Sequence, residues 1–167
     1  MQTIEIFKDI GKRCDGDIYL GVVGPVRVGK SSFIKRFMEV AVIPYIEDID
    51  VKTRARDELP QSGEGKMIMT VEPKFVPNQA ACIGVEENLS VNVRLVDCVG
   101  YVIDGAKGYQ DDQGVRYVKT PWYLEAIPFD EAAKIGTQKV IQDHSTIGIV
   151  MTCDGSICEI DGKDYVQ

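Results

Sequence analysis

Residues 17–32 read Asp17-Ile-Tyr-Leu-Gly-Val-Val-Gly-Pro-Val-Arg-Val-Gly-Lys-Ser-Ser32, and this stretch decides the fold. It opens with a short apolar strand from Ile18 to Val23, passes through a loop, and starts a helix at Lys30. The loop, Gly24-Pro25-Val26-Arg27-Val28-Gly29-Lys30-Ser31, fits G-x-x-x-x-G-K-[ST] at every fixed position. Gly24 and Gly29 admit backbone angles closed to other residues and leave no side chain between main chain and ligand. Successive backbone N–H groups then converge on phosphate oxygens at a helix N-terminus, where the dipole also favours an anion. Lys30 supplies a cation for the β- and γ-phosphates, and Ser31 a hydroxyl for Mg²⁺. Ser32 and Gly100 complete the expected nucleotide-binding set. The reading is a nucleotide site on an α/β fold, a P-loop three-layer α/β/α domain with a mostly parallel sheet.

The 167 residues suit one domain with a sizeable core. A formal charge of −7 argues against sequence-independent nucleic-acid binding, which needs a basic face. No run of 18 apolar residues exists, and residues 1–13 lack the apolar centre of a secretory signal. Five cysteines without a C-x-x-C pair, and a single histidine (His144), read as free thiols of a cytosolic protein, not a zinc site.

Residues 1–16 carry Ile4, Ile6, Phe7 and Ile10, the pattern of a short amphipathic segment that packs on the sheet edge or on a partner. The domain proper is expected over 17–167. Phe33, Ile34, Phe37, Met38 and Ala41 give the helix from Lys30 to Val42 its inner face, and Pro44 marks its end. From Glu47 to Gln79 the chain is polar, without a sustained period, and reads as a long functional loop. Thr70 within it has two readings: an ordinary strand threonine, or a switch residue on Mg²⁺ and the γ-phosphate.

Two strands follow, roughly Ala80 to Val85 and Val91 to Val96, and the second runs into Asp97-Cys98-Val99-Gly100. This is D-x-x-G at the end of an apolar strand: Asp97 reaches Mg²⁺ through water, and the Gly100 amide meets the γ-phosphate. Tyr101 stands where Ras-type GTPases place a water-orienting glutamine, and a phenol cannot duplicate that carboxamide. Residues 101–128 read as irregular, with Trp122 and Tyr123 capping the core. Asp104, Asp111 and Asp112 lack the spacing of a calcium loop. Asp130 to Gln142 reads as a helix with Ala132, Ala133, Ile135, Gly136, Val140 and Ile141 inward. Ser145 to Thr152 reads as a strand buried on both faces.

With these motifs in order, the chain resembles the translation-factor-related branch of P-loop NTPases. Within it, GDIYLGVVGPVRVGKSSFIKRFME, DELPQSGEGKMIMTVEPKFVPNQA, VNVRLVDCVGYVIDGAKGY and TPWYLEAIPFDEAAKIGTQKVIQDHSTIGIVMTCDG are similar to the ATPase domain of the stage IV sporulation protein A family. The resemblance implies catalytic roles for Lys30, Thr70 and Asp97, metal contacts from Ser31, Thr70 and Asp97, and ATP with Mg²⁺ as cofactors. The family often carries a second threonine after the first; here the position is Val71. It further implies hydrolysis that drives self-assembly into a homopolymer, the basement layer of the spore coat. That layer would lie on the mother-cell side of the forespore surface, in the cytoplasm. Partners would be a small membrane-anchoring spore protein and coat proteins.

The sequence is expected to be incomplete at its C-terminus, lacking last strands and the [NT]-K-x-D loop that reads guanine. The absence of that loop therefore does not choose ATP over GTP. A GTPase switch and a nucleotide-binding assembly module without turnover stand as alternatives. A metabolite kinase is disfavoured by the lack of an arginine-rich lid.

Overall fold

A computed structural model of the chain describes residues 16–61, 71–86, 89–102, 110–111 and 114–152. The central strand β1, Asp17–Val23, has apolar side chains on both faces and so needs cover on both. It lies between β3 (Leu89–Asp97) and β8 (Ile147–Val150), parallel to each. β2 (Lys74–Glu86) closes the other edge antiparallel to β3, giving a four-stranded sheet in the order β2-β3-β1-β8. The architecture is α/β with a mixed, mostly parallel sheet.

One face carries Ile18, Leu20, Val22, Val93 and Leu95, packed against Ile34, Met38 and Val42 of the first helix. Each such fully buried side chain contributes roughly 1.5–3 kcal/mol of transfer free energy. That helix runs as α1, Lys30–Phe37, then continues as a π-helical turn over Met38–Val42, matching the expected span of 30–42. A single 3₁₀ turn at Ile43–Tyr45, with Pro44 inside it, ends it. On the opposite face Val23, Val96 and Cys98 pack against Val140 of α3 (Phe129–Asp143), one residue longer at each end than expected.

The stretch read as a loop from Glu47 to Gln79 is partly regular. Helix α2 spans Ile49–Asp57, and the Asp48 carboxylate caps it, accepting from the Asp50 and Val51 amides at 2.9 Å. Its buried stripe is narrow: Val51, Ala55 and, just past the helix end, Leu59 recur every four residues amid charged neighbours. β2 begins at Lys74, six residues before the expected start. It tolerates Pro77 because it is an edge strand whose pairing breaks between Val76 and Ala81.

Three further expectations, all within residues 101–152, differ from the structure. Among 101–128 the chain forms a hairpin of β6 (Tyr117–Thr120) and β7 (Tyr123–Pro128), and a minimal pair β4 (Gln110–Asp111) and β5 (Gly114–Val115). Trp122 turns the hairpin and lies half-buried against α3, with the Lys139 ammonium 5.7 Å from its ring centre. β8 is shorter than expected and is an edge strand, with Val150 67% exposed, because β1 is its single partner in the sheet. On α3, Ile141 faces outward while Thr137 is buried, its hydroxyl donating to the Ala133 carbonyl at 2.9 Å. The amphipathic segment read at 1–16 falls, except for Gly16, outside the described residues. No helix among the described residues is long and apolar enough to cross a membrane.

Candidate nucleotide site

Parallel pairing brings two loops to one end of the sheet. Val22 pairs with Asp97, so the D-x-x-G loop leaves β3 beside the point where the glycine loop leaves β1. The two loops are then stitched together: Pro25 bridges Tyr101, and the Val26 amide donates to the Tyr101 carbonyl at 2.9 Å.

The glycine loop is held in uncommon backbone angles. Gly29 caps α1 with φ of 93°, and Arg27 stands at φ of 64°, the one non-glycine with positive φ among the described residues. The first turn of α1 contains no acidic side chain, and Gly29 offers no side-chain cap. Its amides therefore face no carboxylate of their own turn, which suits an incoming anion.

Lys30 is 4% exposed, and its ammonium donates to the carbonyls of Pro25 at 2.6 Å and Gly24 at 3.2 Å. The loop thus wraps the cation it would present to phosphate. Ser31, the next residue, donates its hydroxyl to Asp97 Oδ2 at 2.6 Å. The other carboxylate oxygen, Oδ1, is buried with no hydrogen-bond partner. Burial pushes the Asp97 carboxyl above its ordinary range, opposed by the Ser31 hydrogen bond, the charge of Lys30, the Cys98 amide and the charge of Lys74. An orphaned oxygen beside a serine hydroxyl is a donor set that fits Mg²⁺, which takes one or two protein oxygens and completes its shell with water and phosphate. Among the described residues no group of three or more His, Cys, Asp or Glu could hold a metal by itself.

Gly100, at φ of 91°, packs directly on this assembly: an added Cβ would collide with the Gly24 carbonyl oxygen and the Lys30 ammonium. Gly24, Pro25, Val26 and Val28 are buried around it, while Arg27, Ser31 and Ser32 are exposed at the rim. The structure therefore brings Lys30, Ser31, Asp97 and Gly100 together; Thr70 lies outside the described residues.

Two neighbours were missed in the sequence. Cys98 is a buried free thiol that donates to the Val22 carbonyl at 3.5 Å and lies 3.9 Å from the Thr137 hydroxyl, tying the D-x-x-G loop to α3. Burial raises its thiol pKa. Lys74 pairs with Asp97 across β2 and β3, a proximity that only the strand register reveals. The charges of Lys30 and Lys74 both act on the Asp97 carboxyl.

The family described as "Stage IV sporulation protein A, ATPase domain" matches residues 1–167. The chain is 64% identical over 167 residues to stage IV sporulation protein A of Bacillus anthracis, which covers all of this chain and 34% of that protein. The same-named protein of Bacillus subtilis strain 168 is 62% identical over the same length, again 34% of its own. That of Clostridioides difficile strain 630 is 58% identical over 162 residues, 97% of this chain and 33% of that protein. The chain spans about a third of the length of the curated relatives it matches. No solved structure matches it at a significant level.

Proposed function

Because this chain belongs to the stage IV sporulation protein A family, by way of its ATPase domain, we propose that it binds ATP with Mg²⁺ at the Gly24–Ser31 loop and hydrolyses it. The observation that carries this reading is the Ser31–Asp97 contact of 2.6 Å beside a buried Lys30. Two motifs 66 residues apart in sequence meet at the N-terminus of one helix. The fold is then a P-loop three-layer α/β/α domain over residues 17–167, which the sheet order and the helices on both faces support.

Lys30 would leave the Gly24 and Pro25 carbonyls for the β- and γ-phosphates, exchanging two hydrogen bonds to neutral oxygens for stronger ones to charged oxygens. Ser31 and Asp97 would hold Mg²⁺, which would supply charge neutralisation for the phosphate oxygens. The loop amides and the N-terminus of α1 orient the triphosphate, and Gly100 keeps the D-x-x-G backbone close enough to meet its end. Thr70 would contact the same metal and phosphate. In the whole protein this cycle would drive self-assembly into the basement layer of a spore coat. Its place would be the forespore surface, with a membrane-anchoring protein and coat proteins as partners.

Tyr101 keeps a second reading in view, nucleotide binding without turnover, because its main chain is committed to Val26 and its phenol is no glutamine. Phosphate release from Mg-ATP at assembling concentrations decides between them. The proposal expects turnover in wild type, none in Lys30→Ala, and slowed turnover with retained binding in Thr70→Ala. Unchanged turnover in Lys30→Ala refutes the assignment. Competition of GTP against ATP tests the base, with ATP expected to win.

A further inference from the structure

The middle of α3 has a notch. A Cβ added at Gly136 would lie 2.7 Å from the Val71 carbonyl oxygen and 3.4 Å from Cη2 of Trp122. Approach this close to a main-chain oxygen is open to glycine alone, and a helix interior is otherwise a poor place for glycine. Val71 itself is fully buried, packed with Phe129 at the start of the same helix. Val99 and Val102, which bracket Gly100-Tyr101, pack onto this same cluster. One rigid helix therefore seats two things: the main chain at Val71, and the loop that carries Gly100 to the mouth of the nucleotide site.

We propose that Gly136 is a positioning residue for turnover, its bare Cα setting the seat from which α3 aligns the D-x-x-G loop. The inference rests on the hydrolysis reading above. Lys30 and the first turn of α1 lie on the opposite face of the sheet from α3, so a shift seated at Gly136 is expected to fall on rate before affinity. A methyl placed there has to displace the Val71 backbone, and the shared packing carries that shift to Val99 and Val102. The expected signature is loss of rate without loss of binding.

The test is Gly136→Ala in the purified protein, with three readings. The dissociation constant for Mg-ATP should stay within about twofold and kcat per bound nucleotide should fall at least about tenfold. Amide hydrogen exchange over residues 99–102 in nucleotide-free protein should speed up. Wild-type kcat and exchange in a variant that binds ATP overturn the inference, as does a fall in kcat that only tracks lost binding. If Gly136→Ala does not fold, Val71→Ala replaces it: lower kcat with intact binding and faster exchange supports the seat, and wild-type behaviour overturns it. A wild-type protein that binds ATP without turning it over defeats the hydrolysis reading, and with it the claim on turnover. The exchange measurement then reports separately on whether Gly136 holds the loop.

Discussion

The Ser31 hydroxyl donates to the Asp97 carboxylate across 2.6 Å, joining the first turn of α1 to the last residue of β3. The contact satisfies one carboxylate oxygen and leaves its twin buried and unpaired. A carboxylate kept in this condition costs stability, because a buried charge is incompletely compensated.

Asp97→Asn removes that charge and keeps an oxygen for Ser31. Metal-free protein carrying it should be as stable as wild type or more so, while Mg-dependent turnover is lost. The sign with pH follows from the raised carboxyl. Native Asp97 holds its proton to higher pH than the unfolded chain, so its contribution is fully present below the ordinary value of 3.8 and is lost as pH rises through the native value. The stability difference between variant and wild type should therefore grow with pH across that window, measured by urea unfolding in chelator.

Arg27 occupies left-handed backbone, a conformation that costs an ordinary residue roughly 1–2 kcal/mol. Asparagine tolerates it and a β-branched residue does not. Arg27→Asn should exceed Arg27→Val in stability by about 1–2 kcal/mol. Both lose the guanidinium, so the difference reports the backbone, and equal midpoints in thermal unfolding would refute it.

Gly100→Ala drives a methyl into the Gly24 carbonyl and the Lys30 ammonium. The cost should be about 1–3 kcal/mol, with nucleotide affinity falling in parallel because the same two groups form the site. Urea unfolding and a nucleotide titration check both.

Cys82 is exposed and Cys98 buried, the latter enclosed by Val22 and Thr137. Alkylation of native protein followed by peptide mapping should label Cys82 and spare Cys98, and denaturant should expose both.

What the residues reveal about this fold follows from how local each cause is. The glycine loop, the helix after it and the strand into Asp97 are written in consecutive residues, and each stands where expected. Helix α2 was hidden because its burial rests on Val51, Ala55 and Leu59 alone, although Asp48 before it is an ordinary cap. The long β2 was hidden by Pro77, admissible only on an edge strand, and edge position is set by the whole sheet. The reverse error befell β8, whose apolar residues imply two covered faces while it holds an exposed edge. At the site, Ser31 and Asp97 were legible from motif spacing. Lys74 and Cys98 were not, since they depend on strand register and helix packing.

The central claim, that the Gly24–Ser31 loop with Lys30 grips a triphosphate, is tested most directly by calorimetric titration of Mg-ATP into wild type and Lys30→Ala. A lost charge-assisted hydrogen bond predicts affinity weaker by about 10- to 100-fold in the variant. Equal affinity in a folded Lys30→Ala protein would contradict it.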